Sequence, residues 1–285
     1  FSYYSNQLAW IHNMRKYLLH VLIISFVFLL APTAQVVSYA GELEDAKEEV
    51  RKNPDDEQAH FNLGVVYGES GMYKEAIESF KQVIRIDPDN ANTHYNLGLA
   101  YYELGKYQEA IESYRQAIGI DPDHADAHGN LGLAYKKSGN HKKAIESYKQ
   151  AIRINPEDAG AHNNLGYAYD ELGKYEEAIK SYKQVIRIDP DDEQAHFYLG
   201  LAYGESGKYE EAIESFKQAI RLDPDYTLAH SGLGAAYSKS GKYQEAIEPF
   251  KQAIRIKPDY ADAHYFLGLA YFTLGMDKEA IEPFK

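Results

Sequence analysis

The chain repeats itself every 34 residues, and that period limits what it can fold into more than any other feature. The stretch "THYNLGLAYYELGKYQEAI" at 93–111 returns one period upstream as "AHFNLGVVYGESGMYKEAI" at 59–77 and one downstream as "AHGNLGLAYKKSGNHKKAI" at 127–145. The frame holds through "AHYFLGLAYFTLGMDKEAI" at 263–281. Units therefore fall at 57–90, 91–124, 125–158, 159–192, 193–226, 227–260 and an incomplete 261–285. "PDDEQAHF" stands at both 54–61 and 190–197, so units one and five are near copies, as array expansion by duplication leaves them. A fixed period overrides the soft expectation of one domain per roughly 150 residues.

Each unit contains two helical patterns. In the second, Leu97, Ala100, Tyr101 and Leu104 recur three or four apart, as do Tyr107, Ala110, Ile111, Tyr114, Ala117 and Ile118, the spacing of one apolar face on a helix. Gly105 permits the backbone reversal between them, and "DPD" at 121–123 stops the second helix because proline cannot continue it. Gly98 and Ala110 lack bulk, so two backbones can approach closely beside Tyr101. One such pair leaves an apolar face bare, and neighbours must stack to cover it.

This grammar resembles the tetratricopeptide repeat family, whose 34-residue pattern sets Leu-Gly, Tyr, Gly, Ala, an aromatic and Pro in this order. The residues that carry the resemblance are Leu63, Leu97, Leu131, Leu165, Leu199, Leu233 and Leu267, the glycine after each, Tyr67 through Tyr271, and Ala76 through Ala280, each at the same step. The resemblance covers 57–285 and implies an all-α fold, a right-handed α-solenoid of stacked antiparallel helix pairs. Three departures stand out. His141 and Asp277 replace the inter-helix tyrosine, which predicts looser turns in units three and seven. Pro249 and Pro283 fall inside second helices, where a bend is expected. The last unit stops without the polar cap that terminal repeats need, so further chain is expected beyond it. On the other side, 41–56 reads as one charged capping helix.

The first forty residues differ in kind. Residues 1–13 have no initiator and read as a leader, with Met14 as the start. From there "MRK", an apolar run over residues 17–31, and small residues at Ser38 and Ala40 follow the layout of a signal peptide cut near Ala40. The alternative is an uncleaved anchor, although the run is short against the roughly 20 apolar residues of a membrane span. Export to a periplasmic or extracellular space follows from the first reading, and membrane contact through 17–31 from the second.

Composition removes several chemistries. With no cysteine, there is no disulfide, thiolate metal site or thiol nucleophile. A net charge of −13 disfavours nucleic acid, whose phosphates attract basic surfaces. No metal, cofactor or catalytic group is expected. The "GKY" turns are no phosphate loop, and "GESG" at 68–71 and 204–207 is no nucleophile elbow. Histidine recurs at His60, His94, His128, His162, His196, His230 and His264. Helices about 8–10 Å apart keep these rings from sharing one zinc, which needs nitrogens at about 2 Å, so packing is their reading. "HADAH" at 124–128 is the best local metal candidate, but His124 falls ahead of the helix, so the two rings need not share a face.

Asparagine is the series that points to a partner. Asn62, Asn96, Asn130 and Asn164 stand two residues after each histidine in the first four units, where amides can pair with the backbone of an extended peptide. In the family this position faces the concave groove, and the row is similar to the asparagine ladder of the O-linked N-acetylglucosamine transferase repeats and of armadillo-type import receptors. Phe61, Tyr95, Leu99, Leu133, Tyr167, Phe197, Tyr198, Leu201 and Tyr265 complete the expected partner-binding set. Glu69, Glu103, Glu171 and Glu205 nearby favour a neutral or basic ligand. The resemblance thus implies a non-enzymatic scaffold holding a protein segment, in assembly of an exported complex. The alternative is the substrate-recruiting arm of an enzyme such as a glycosyltransferase.

Overall fold

The computed structural model describes residues 41–281. The leader and signal or anchor expectations at 1–40, and Pro283, lie outside the described residues. Regular structure among the described residues is helical throughout. Helix α1 covers 41–52. Then come α2 (Glu57–Glu69), α3 (Tyr73–Ile86), α4 (Ala91–Glu103), α5 (Tyr107–Ile120), α6 (Ala125–Lys137), α7 (His141–Ile154), α8 (Ala159–Asp170) and α9 (Tyr175–Ile188). The series ends with α10 (Glu193–Glu205), α11 (Tyr209–Leu222), α12 (Thr227–Lys239), α13 (Tyr243–Ile256), α14 (Ala261–Thr273) and α15 (Asp277–Ile281). Even-numbered helices start 34 residues apart, and so do odd-numbered ones from α3 onward. The chain divides into two compact units, one ending at Lys106 and the other beginning at Tyr107.

Helix starts follow from the residue that precedes them. Asp56, Asn90, Asp158 and Asp192 accept hydrogen bonds from backbone N–H groups of α2, α4, α8 and α10, and His124 Nδ1 does the same for α6. Second helices stop where the next residue is proline: Asp87, Asn155, Asp189 and Asp223 take extended backbone, which a following proline favours. The turns between paired helices pass through glycines at φ +67° to +81°, Gly71 through Gly275, a region costly for a side chain.

Within each unit, consecutive helices pack on one another. First helices of successive repeats also touch, as α2 does α4, α6 does α8 and α12 does α14. In the second unit, second helices of successive repeats make no comparable contact among the described residues, so there the first helices line the tighter, concave side. The core between paired helices is an aromatic ring on the second helix laid against a glycine on the first. Phe80 meets Gly64, Tyr148 meets Gly132, Tyr182 meets Gly166, Phe216 meets Gly200 and Phe250 meets Gly234. Phe80, Tyr148 and Phe250 are almost wholly buried, and burying a ring of this size contributes about 1.5–3 kcal/mol.

The looser turns expected in repeats three and seven come out differently. The turn of repeat three is as tight as its neighbours: Gly139 N–H donates to Lys136 O at 3.0 Å and Asn140 N–H to Tyr135 O at 2.8 Å. Asn140 moreover caps α7 through Lys143 N–H, a side-chain cap that α3, α9, α11 and α13 lack. Repeat seven closes with the same pair of bonds, Gly275 N–H to Phe272 O and Met276 N–H to Tyr271 O. The turn is held by backbone, so losing the tyrosine does not loosen it. Pro249 is buried within α13, which keeps the same 14-residue span as α11.

The ring-on-glycine seam separates two glycines of α6. A methyl added at Gly132 would lie 2.5 Å from Tyr148 Cε1, whereas one at Gly129 meets nothing within 4 Å. Gly132→Ala is expected to cost about 1–3 kcal/mol through overpacking, and Gly129→Ala to gain about 0.5–1 kcal/mol from helix propensity. Urea unfolding followed by circular dichroism reads both, and equal effects would refute the seam.

Candidate functional site

In the first unit, the face shared by α2 and α4 holds a cleft of about 310 Å³. It exists because Gly64 and Gly68 leave one stripe of α2 without side chains. Phe80 and Ala100 form its floor, Val65 and Leu99 its apolar walls, and Asn96, Glu69 and Glu103 its polar rim. Neither glutamate has an ion-pair partner among the described residues. Two carboxylates one repeat apart therefore set the field of this cleft.

The asparagines are not all alike. Asn96 Nδ2 donates one N–H to Asn92 O on its own helix at 2.8 Å. Asn62 is exposed, and its Oδ1 accepts from Gln58 Nε2 at 2.8 Å. Asn130 and Asn164 are half-buried on α6 and α8 of the second unit. Phe61 is half-buried against Phe80, at 5.9 Å between centroids, and Tyr95 is also half-buried.

In the second unit, Tyr167 on α8, Leu201 on α10 and Tyr265 on α14 are exposed, the last by 54%. Leu133 is half-buried against the core. Phe197 is turned under the face instead: it is 8% exposed and packs on Phe216 and on Tyr226, 5.1 Å away. Tyr198 covers it and stacks on Tyr182 at 5.8 Å. Phe197 thus props Tyr198 rather than facing a ligand. Of the four expected glutamates, Glu171 lies close enough to the Tyr167 hydroxyl to raise that phenol's pKa, and Glu205 is held by Lys239 at 3.1 Å. The acidic rim is consequently most open in the first unit.

Sequence reading missed two features here. All seven repeat histidines place Nε2 within 2.8–3.2 Å of the carbonyl of the proline six residues earlier, from Pro54–His60 to Pro258–His264. A carbonyl only accepts, so Nε2 carries a proton and staples the preceding loop to the first helix; the constant Pro-to-His spacing was the available signal. The packing role is thus a hydrogen-bonded one. His124 caps its helix while His128 bonds Pro122, and no metal-binding cluster occurs among the described residues.

The second missed feature is Asp170. Tyr182 donates its hydroxyl to Asp170 Oδ2 at 2.8 Å, while Oδ1 is buried with no partner among the described residues. Burial, reinforced by Glu171 and Glu205, pushes this carboxyl up to about 6 against the lowering effect of the tyrosine bond. Close by, Lys136 lies 3.9 Å over the Tyr167 ring, and burial, with Lys137 adding, holds its ammonium below the usual range.

A raised carboxyl pKa means the fold favours the protonated form. The stability Asp170 confers is complete below pH 4 and is lost as pH rises through about 6. Asp170→Asn keeps an acceptor for Tyr182 and removes the charge. After discounting for solvent screening, it should gain on the order of 1 kcal/mol, about 2–4 °C in melting temperature, at pH 7.5, and nothing at pH 4. Equal melting shifts at both pH values would contradict this.

The chain matches the family profile described as the cilia and flagella-associated protein 70 C-terminal domain over residues 31–223 and again over 89–285. Among solved structures, MamA is 31% identical, with 59% of this chain and 92% of that one covered at a TM-score of 0.57. YrrB, described as a tetratricopeptide protein with an unusual peptide-binding site, is 23% identical over 66% of this chain and 96% of its own, at 0.60. The C-terminal part of a tetratricopeptide protein from Cytophaga hutchinsonii is 19% identical over 81% and 95%, at 0.71. The last two likenesses concern the fold alone. No curated protein sequence matches the chain.

Proposed function

This chain belongs to the tetratricopeptide-repeat family described by the C-terminal domain of cilia and flagella-associated protein 70, and from that premise we infer that its concave face holds a segment of a partner protein. The observation that carries the reading is the first-unit cleft, where apolar walls from Val65 and Leu99 lie beneath a rim of Asn96, Glu69 and Glu103. Apolar anchors under a few directed polar groups suit a peptide side chain with its backbone alongside. The open carboxylates select a neutral or basic segment. Asn62 and Asn96 offer amides in the first unit; in the second unit, taken by itself, Asn130 and Asn164 stand at the same repeat position, with Tyr167, Tyr198, Leu201 and Tyr265 as candidate contacts there.

Export is part of the same proposal. The basic start and apolar run of 14–40 support it, and the scaffold would then serve assembly of an exported complex. No helix among the described residues is long and apolar enough to cross a membrane.

Panning a random peptide library against residues 41–285 tests the reading. Recovered peptides are expected to be neutral or basic with an apolar anchor. Asn62→Ala with Asn96→Ala, both in the first unit, should weaken them about tenfold or more, since each hydrogen bond contributes about 0.5–1.5 kcal/mol net. Glu103→Lys should selectively weaken the basic peptides. Affinity unchanged in both variants, with melting temperature preserved, would remove the concave face from the proposal.

A further inference from the structure

Three positional exceptions converge on one cavity in the second unit. The last turn of the second helix carries Arg85, Arg153, Arg187, Arg221 and Arg255, but α5 has Gly119. Four residues earlier the helix has Lys81, Lys149, Lys183, Lys217 and Lys251, but α5 has Arg115. The first turn of the second helix carries Glu75, Glu109, Glu177, Glu211, Glu245 and Glu279, but α7 has Lys143. Arg115, Gly119 and Lys143 all line a cavity of about 650 Å³ between α5, α6 and α7.

Two of these choices work against the helix they are in. Glycine weakens a helix, and nothing in the packing requires it, because a Cβ at Gly119 would meet no atom within 4 Å. Lysine in a first turn opposes the helix dipole, which favours acids there. What the two share is the cavity. Gly119 leaves space where five other repeats put an arginine, and Lys143 supplies a cation where six others put a carboxylate. Arg115 replaces a point charge with a planar fork suited to a carboxylate.

The adjoining turn has the same sign. The turn "KKSGNHKK" at 136–143 holds four lysines and no acid, whereas the same turn in every other repeat holds at least one acid. Lys143 Nζ rests 5.3 Å over the Tyr135 ring, and Ile118 and Leu131 give the cavity an apolar wall. His128 also lines it, but its Nε2 is committed to Pro122 O.

We propose that this cavity is a second binding site, for an acidic peptide segment of a partner protein, seated with a carboxylate between Arg115 and Lys143. Glu146 lines the cavity too. A bare inorganic anion meets that carboxylate as a repulsion, whereas a peptide can turn a backbone N–H toward it and lay aliphatic stems on Ile118 and Leu131. The site is independent of the concave face and would take a ligand of opposite charge.

Fluorescein-labelled octaglutamate titrated into the full chain, read by polarisation, tests this. Lys143→Glu restores the residue of the other repeats and should weaken binding at least tenfold without lowering the melting temperature. Gly119→Leu, which fills the cavity, should do likewise, and Lys180→Glu on α9 should stay within twofold of the parent. The proposal is overturned if the parent does not bind, or if Lys143→Glu and Gly119→Leu bind within twofold of it. Inorganic phosphate bound by the parent and lost in Lys143→Glu, with no octaglutamate binding, would mark a small-anion site and also overturn it.

Discussion

The contact on which the structure depends is the aromatic ring of each second helix pressed on a glycine of its first helix. Phe80 on Gly64, Tyr148 on Gly132 and Tyr182 on Gly166 show the same geometry, with any Cβ placed inside van der Waals contact of the ring. A ring needs a flat seat, and only glycine gives one at this distance. The seat fixes the separation of the paired helices, and the stacking of first helices then turns their other flank toward the concave side. Groove residues are therefore held by a contact they do not make themselves.

That division explains what could be read in the sequence. Ring, glycine and turn recur on a fixed period, so helix existence, type and pairing are legible from residues such as Leu97, Tyr107 and Gly105. The site was legible only in part, because a groove side chain is constrained by its neighbours rather than by the period. Phe197 shares the position of Phe61 and Tyr95 yet is buried by Tyr198 and Tyr226, two aromatics absent from the same places in earlier repeats. Asn96, expected to offer a whole amide, gives one of its two N–H groups to Asn92 O. The histidine staple rests on a six-residue spacing that apolar periodicity does not register, since its acceptor is a loop carbonyl.

The tyrosines add a second layer. Where the seated ring is Tyr182 rather than phenylalanine, its hydroxyl reaches Asp170 at the edge of the concave face and ties core packing to groove electrostatics. A protonation change at Asp170 would thus be felt by the seam itself. Repeats seated by phenylalanine, such as Phe216 on Gly200, have no such link. The array consequently carries identical carpentry with different chemistry painted on individual rungs, acidic at Glu69 and Glu103 and basic around Lys143.

The central claim is that second helices and the ring seam are scaffold, while the concave flank of the first helices is where a partner segment lies. Amide hydrogen exchange, read by mass spectrometry with and without a saturating groove-selected peptide, tests it most directly. Added protection should concentrate in α2 and α4, with α3 unchanged. Protection gained chiefly by α3 would contradict the account.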